Sequence, residues 1–78
     1  MAYWTKKFGK YEVNLEVRKL ETPDEQESDC FISYKDFSAS LECADATGVL
    51  ENHERSTEHK IDNGTLEQIR TWAEANGY

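Results

Sequence analysis

The stretch Tyr11–Arg18, YEVNLEVR, decides the fold. Tyr11, Val13, Leu15 and Val17 alternate with Glu12, Asn14, Glu16 and Arg18. Side chains of an extended chain point to opposite faces in turn, so this alternation puts all four apolar groups on one side. The setting it fits is an antiparallel sheet with one face buried and one face wet. Just upstream, Ala2, Trp4, Lys6 and Phe8 share one parity, and Gly9-Lys10 separates them from Tyr11. Glycine at the first position of a two-residue loop suits a type II′ hairpin turn. That turn sets Phe8 opposite Tyr11 and Trp4 opposite Leu15. Residues 2–20 therefore read as a β-hairpin with Trp4, Phe8, Tyr11, Val13 and Leu15 on one face. Tyr3, Thr5, Lys7, Leu20 and Phe31 fall on the other, open face.

Further along, Cys30–Cys43 reads CFISYKDFSASLEC. Its parity changes midway: Ile32 and Tyr34 are even, whereas Phe37, Ala39, Leu41 and Cys43 are odd. A two-residue loop at Lys35-Asp36 removes the conflict and pairs Tyr34 with Phe37, Ile32 with Ala39 and Cys30 with Leu41. Lys-Asp is not a favoured pair for such a turn, so a bulge in one long strand is the competing reading. On either reading residues 30–44 are a second hairpin or strand pair. Residues 47–61 are read as a short strand at Val49-Leu50 followed by a polar loop or an edge strand. The C-terminal DNGTLEQIRTWAEANGY is helical over 65–76: Leu66, Ile69, Trp72 and Ala73 form one stripe. Thr65 and Gln68 have capping-box spacing, with Asp62 and Asn63 as other caps. Arg70 is placed to pair with Glu67 and Glu74.

These segments assemble into a single α+β domain over 1–78. It is an antiparallel β-meander of four to five strands with one C-terminal helix packed on one face, two layers in all. At 78 residues such a domain spends its core on holding itself together and has little interior left for a deep ligand pocket.

The net charge of −7 is unevenly spread. Residues 1–20 carry five bases and two acids, a local +3, and residues 21–78 carry four bases and fourteen acids, a local −10. The acidic connection 21–29, ETPDEQESD, holds five carboxylates and no base. It lacks the sixth-position glycine of an EF-hand loop, so it is no calcium site of that kind. His53 and His59 lie six apart, which matches neither the i, i+4 helical zinc spacing nor, with Cys30 and Cys43, any familiar ligand framework; both are read as solvated surface histidines, and no metal or cofactor is expected. The two cysteines read as small buried hydrophobes in a reducing compartment. No serine sits in a nucleophile motif and no glycine-rich phosphate loop exists, so the chain is read as non-catalytic. With no apolar run long enough to span a bilayer and no apolar leader, the expected location is the cytoplasm.

Acidity argues against a general nucleic-acid binder. It favours a small interaction protein, an inhibitor or regulator that docks a carboxylate-rich surface on a basic, nucleic-acid-handling partner, as phage anti-defence inhibitors and nuclease immunity proteins do. The residues expected to meet that partner are Asp24, Glu25, Glu27, Asp29, Glu51, Glu54 and Glu58. A different class of role is a homo-oligomeric or accessory structural module using Tyr3, Leu20 and Phe31 on the open sheet face. A third is RNA binding through the basic hairpin residues Lys6, Lys7 and Lys10.

Overall fold

The computed structural model describes residues 2–21 and 25–78. The elements run β1 (Ala2–Phe8), β2 (Tyr11–Lys19), β3 (Gln26–Tyr34), β4 (Phe37–Ser40), α1 (Leu41–Thr47), β5 (Val49–Asn52), β6 (Thr57–Lys60) and α2 (Asn63–Ala75). All strand pairings are antiparallel and follow chain order, a six-stranded meander. The helices lie on one face, so the two-layer α+β reading stands, with one strand more than the upper count expected from sequence.

The first hairpin has the predicted register, Phe8 opposite Tyr11 and Trp4 opposite Leu15. Gly9 takes the left-handed conformation, φ 60°, that the turn needs. The parity change at Lys35-Asp36 is a hairpin and not a bulge: Tyr34 pairs with Phe37 and Ile32 with Ala39. Lys35 there holds φ 52°, a conformation that costs a side-chain-bearing residue about 1–2 kcal/mol. Lys35 also sits over the Tyr34 ring at 5.3 Å, which offsets part of that cost by roughly 0.5–1 kcal/mol. Lys35→Gly is therefore expected to stabilise the fold by about 0.5–1 kcal/mol, read as a melting temperature a few degrees higher. A lower melting temperature would contradict the turn assignment.

Two sequence expectations are corrected. First, the pairing of Cys30 with Leu41 does not occur, because β4 stops at Ser40 and Leu41–Thr47 form helix α1. Ser40 caps it, its hydroxyl accepting from the Cys43 N–H at 3.1 Å. Gly48, at φ 74°, closes it. The helix buries Leu41 and Ala44 and leaves Cys43 exposed, so only Cys30 is the buried cysteine expected. Burial pushes the Cys30 thiol up to about 11. Second, the acidic connection is shorter than 21–29, since β3 begins at Gln26 and carries Glu27 and Asp29 in the sheet. Of the two readings of the polar stretch after Leu50, loop or edge strand, the second holds: β5 and β6 form a hairpin with Asn52 opposite Thr57, and β6 is the edge of the sheet. The nearly buried Asn52 side chain holds its turn, accepting from the N–H groups of Glu54 and Arg55 at 3.1 and 3.2 Å.

The core is the covered face of the sheet together with α1 and α2. Val13, Leu15, Ile32, Ala44, Leu50, Ile69 and Ala73 are fully buried. Helix α2 starts one residue after its cap Asp62, whose carboxylate accepts from the Thr65 N–H at 2.9 Å and from its hydroxyl. It buries Leu66, Ile69 and Ala73 and lays Trp72 edge-on against Phe8, centroids 5.6 Å apart, which is the predicted stripe. Arg70 pairs across to Asp45 of α1, joining the two helices. No helix among the described residues is long and apolar enough to cross a membrane.

Candidate functional site

The register places the open face residue by residue. One row crosses all six strands: Lys7, Glu12, Ser33, Ser38, Glu51, Glu58. Five gaps at about 4.8 Å make it roughly 24 Å wide. The next row is Thr5, Asn14, Phe31, Ser40, and the one beyond it is Tyr3, Glu16, Asp29. Arg18 and Glu27 follow. Thus Tyr3 and Phe31 share one face with Glu27, Asp29, Glu51 and Glu58. Two sets of residues singled out in the sequence for different roles form one surface. Tyr3 is 65% exposed and Phe31 52%.

The carboxylates on this surface are not equivalent. Arg18 donates to Glu16 and Asp29, both at 2.7 Å, and approaches Glu27 at 3.5 Å. Its guanidinium holds its proton still more firmly than usual, chiefly through the Asp29 hydrogen bond. Much of the charge of Glu27 and Asp29 is thereby met within the molecule. At the other end, Glu51 and Glu58 stand directly opposite each other on β5 and β6, an arrangement that costs stability because like charges repel across a strand pair. The exposed His53 places its Nε2 3.5 Å from the Glu51 carboxylate. Glu54 is exposed in the adjoining turn, and Glu25 is exposed just before β3. Leu20 lies one residue past β2, where its N–H bonds the Glu25 carbonyl at 3.1 Å; it is 40% exposed. Asp24 lies outside the described residues.

Beside Phe31 is a shallow hollow lined by Ser38, Ser40, Val49, Glu51 and His53. It lies where β4 and β5 are joined through a single paired position, Ser38 with Glu51. The surface around Glu51 thus offers a ring, hydroxyls and carboxylates together. No group of three His, Cys, Asp or Glu side chains among the described residues is arranged to hold a metal ion.

His59 is not the solvated surface group expected. It lies on the covered face opposite Leu50, among the rings of Tyr11, Tyr34 and Phe37 at 5.8, 4.8 and 5.6 Å. Its Nε2 is 2.8 Å from the Tyr11 hydroxyl. In a flat sheet β2 and β6 would stand about 19 Å apart, so this contact requires the sheet to curl around its core. Burial, then the nearby Lys10 and Lys35 ammonium groups, hold the imidazole pKa below its ordinary 6.5. The unfolded chain therefore takes up a proton first as pH falls, and His59 withdraws stability as pH drops through about 6.5 toward the lower folded value. The stability difference between the parent and His59→Gln should shrink between about pH 7.5 and 5.5 in parallel urea titrations. A constant difference would mean that His59 titrates alike in both states.

Comparison with protein families, with curated proteins and with solved structures gives no match to this chain. The functional reading rests on the geometry above.

Proposed function

We propose that this protein is a small non-catalytic interaction module, an inhibitor or regulator, that docks its open sheet face on a basic partner. The partner class that best suits this surface is a nucleic-acid-handling protein, whose binding cleft presents Lys and Arg spaced for phosphates. The observation that carries the reading is the shared face of Tyr3, Phe31, Glu51 and Glu58. An arginine guanidinium can stack on an exposed ring while a neighbouring carboxylate accepts its hydrogen bonds. Among the described residues this facing carboxylate pair has no Lys or Arg partner, so it gains more from an incoming base than carboxylates already matched. Within the acidic set the weight therefore falls on Glu51, Glu58 and the adjoining Glu54. Glu25, Glu27, Asp29 and Asp24 act as a secondary field at the Arg18 end. The reading keeps the protein in the cytoplasm, where free thiols such as Cys30 and Cys43 stay reduced.

The test is capture of partners from host lysate on immobilised protein, followed by elution with salt and with single-stranded DNA. A partner released by both supports phosphate mimicry. A partner held equally in about 50 and 500 mM salt would remove the electrostatic basis of the reading.

A second reading makes the open face a contact between copies of the chain, as a structural module. The exposure of Tyr3 and Phe31 on one face favours it. Loss of a dimer on Phe31→Ser, with no partner captured, would select it over the first.

A further inference from the structure

We infer that strand β1 is a self-pairing edge, and that two copies of this chain join β1 to β1 antiparallel about Thr5 to make one continuous twelve-stranded sheet. The inference concerns the sheet edge and stands independently of what docks on the open face.

The register of the first hairpin decides which backbone groups are free. A two-residue loop is closed by a hydrogen-bonded pair, here Phe8 with Tyr11, and bonded and non-bonded pairs then alternate along the ladder. Phe8, Lys6, Trp4 and Ala2 therefore direct their N–H and C=O groups at β2. Lys7, Thr5 and Tyr3 direct theirs away from the sheet. β1 is a terminal strand of the sheet, seven residues long, and these groups have no partner strand among the described residues. Such an edge is a template for another chain.

Only one symmetric register uses all three outward residues without placing lysines together. With the two-fold axis at Thr5, Thr5 meets Thr5 of the second copy in a hydrogen-bonded pair, and Tyr3 meets Lys7 twice in two more. Trp4 falls opposite Lys6 on the covered side. Each lysine thus faces an aromatic ring, a favourable cation–ring contact on both faces. Centring on Lys6 or Lys7 would oppose like charges, which is unfavourable. The lysines, ordinarily a guard against edge pairing, here select this one register. The opposite edge, β6, offers four residues only. Because the two-fold axis of this pairing is normal to the sheet, both pairs of helices lie on the same side and both open faces face the same way. The two surfaces carrying Glu51, Glu58, Phe31 and Tyr3 then become one.

Sedimentation equilibrium on the full chain, from micromolar to about 1 mM, should show a weak dimer, as befits an interface near the small end of the specific range. Thr5→Pro removes an outward N–H, so the hairpin keeps its own ladder. It should weaken the dimer roughly 30-fold, the equivalent of two hydrogen bonds. Tyr3→Glu and Tyr3→Lys change an exposed side chain and decide the register without risk to folding. Opposite Lys7 the glutamate should tighten the dimer and the lysine should loosen it, each by roughly 10-fold. A monomer throughout the concentration range overturns the inference. So does weakening by both Tyr3 variants, or a dimer abolished by Phe31→Ser, because either would place the contact on the open face instead of the edge.

Discussion

Leu15→Ala is expected to remove about 3 kcal/mol of stability, within the roughly 2–5 kcal/mol typical of a buried leucine truncation. Leu15 is completely buried at the middle of β2, between Trp4 on β1 and Cys30 on β3. Both neighbouring positions are themselves tied into the sheet, so the walls of the new cavity have little room to collapse. A domain of 78 residues has a total margin of about 4–12 kcal/mol. This one substitution therefore takes a quarter or more of it and should lower the melting temperature by about 10–20 °C. Phe31→Ala is the matched control. Phe31 is a larger apolar side chain on the strand next to β2, but it points to the open face and is half exposed. Its truncation should change stability by no more than about 0.5 kcal/mol. Urea denaturation of the two variants reads the assignment of faces directly. Equal losses would mean that the open face is covered in solution or that the register is wrong.

The same alternation that assigns these faces was legible in the sequence wherever apolar residues marked every second position. Both hairpin registers around Leu15 and Ile32 follow from it, and so does the stripe of α2. Helix α1 was not legible because two periodicities agree over most of it. Phe37, Ala39 and Leu41 continue a strand parity into Cys43, whereas Leu41 and Ala44 have helical spacing. Only the burial of Ala44 against the exposure of Cys43 separates them. The caps Ser40 and Gly48, eight residues apart, were the available signal. Strand β6 stayed one of two readings, a loop or an edge strand, for a different reason. Its inward positions are Thr57 and His59, opposite Asn52 and Leu50, so no apolar alternation announces it. His59 does an apolar residue's work there through its aromatic neighbours. For the candidate site, the individual residues could be named from sequence but their grouping could not. Whether Glu51, Glu58, Phe31 and Tyr3 share a face depends on the registers of five strand pairs, and each one-residue slip would send a set of side chains to the other side. The neutralising role of Arg18 had a readable trace, since Arg18 continues the wet parity of β2 into the segment that precedes Glu27 and Asp29. What was missing was the length of β3, which brings those carboxylates alongside it.

Charge reversal at Glu51 and Glu58 should abolish measurable docking to the basic partner. An exposed ion pair contributes up to about 1 kcal/mol, and reversal replaces that attraction with a repulsion of similar size. Two reversals therefore cost about 3–4 kcal/mol, a roughly 100- to 1,000-fold rise in dissociation constant. The double variant Glu51→Lys/Glu58→Lys keeps two like charges opposite each other on β5 and β6, so the charges change sign while the cross-strand repulsion stays. Folding stability should stay nearly constant while binding falls, a separation that most disruptive substitutions do not offer. A comparison variant, Glu27→Lys/Asp29→Lys, reverses the same number of charges but at positions paired to Arg18. It would break that cluster and lower stability, yet cost less binding, because those carboxylates are already partly matched. Both pairs can be measured by surface capture of the purified partner at about 50, 150 and 500 mM salt. The association rate should carry most of the salt dependence, since long-range attraction governs encounter more than residence. If Glu27→Lys/Asp29→Lys weakens binding more than Glu51→Lys/Glu58→Lys, the docking surface is centred at the Arg18 end. If neither weakens it, the acidity of this chain serves solubility, and the exposed rings alone make the contact.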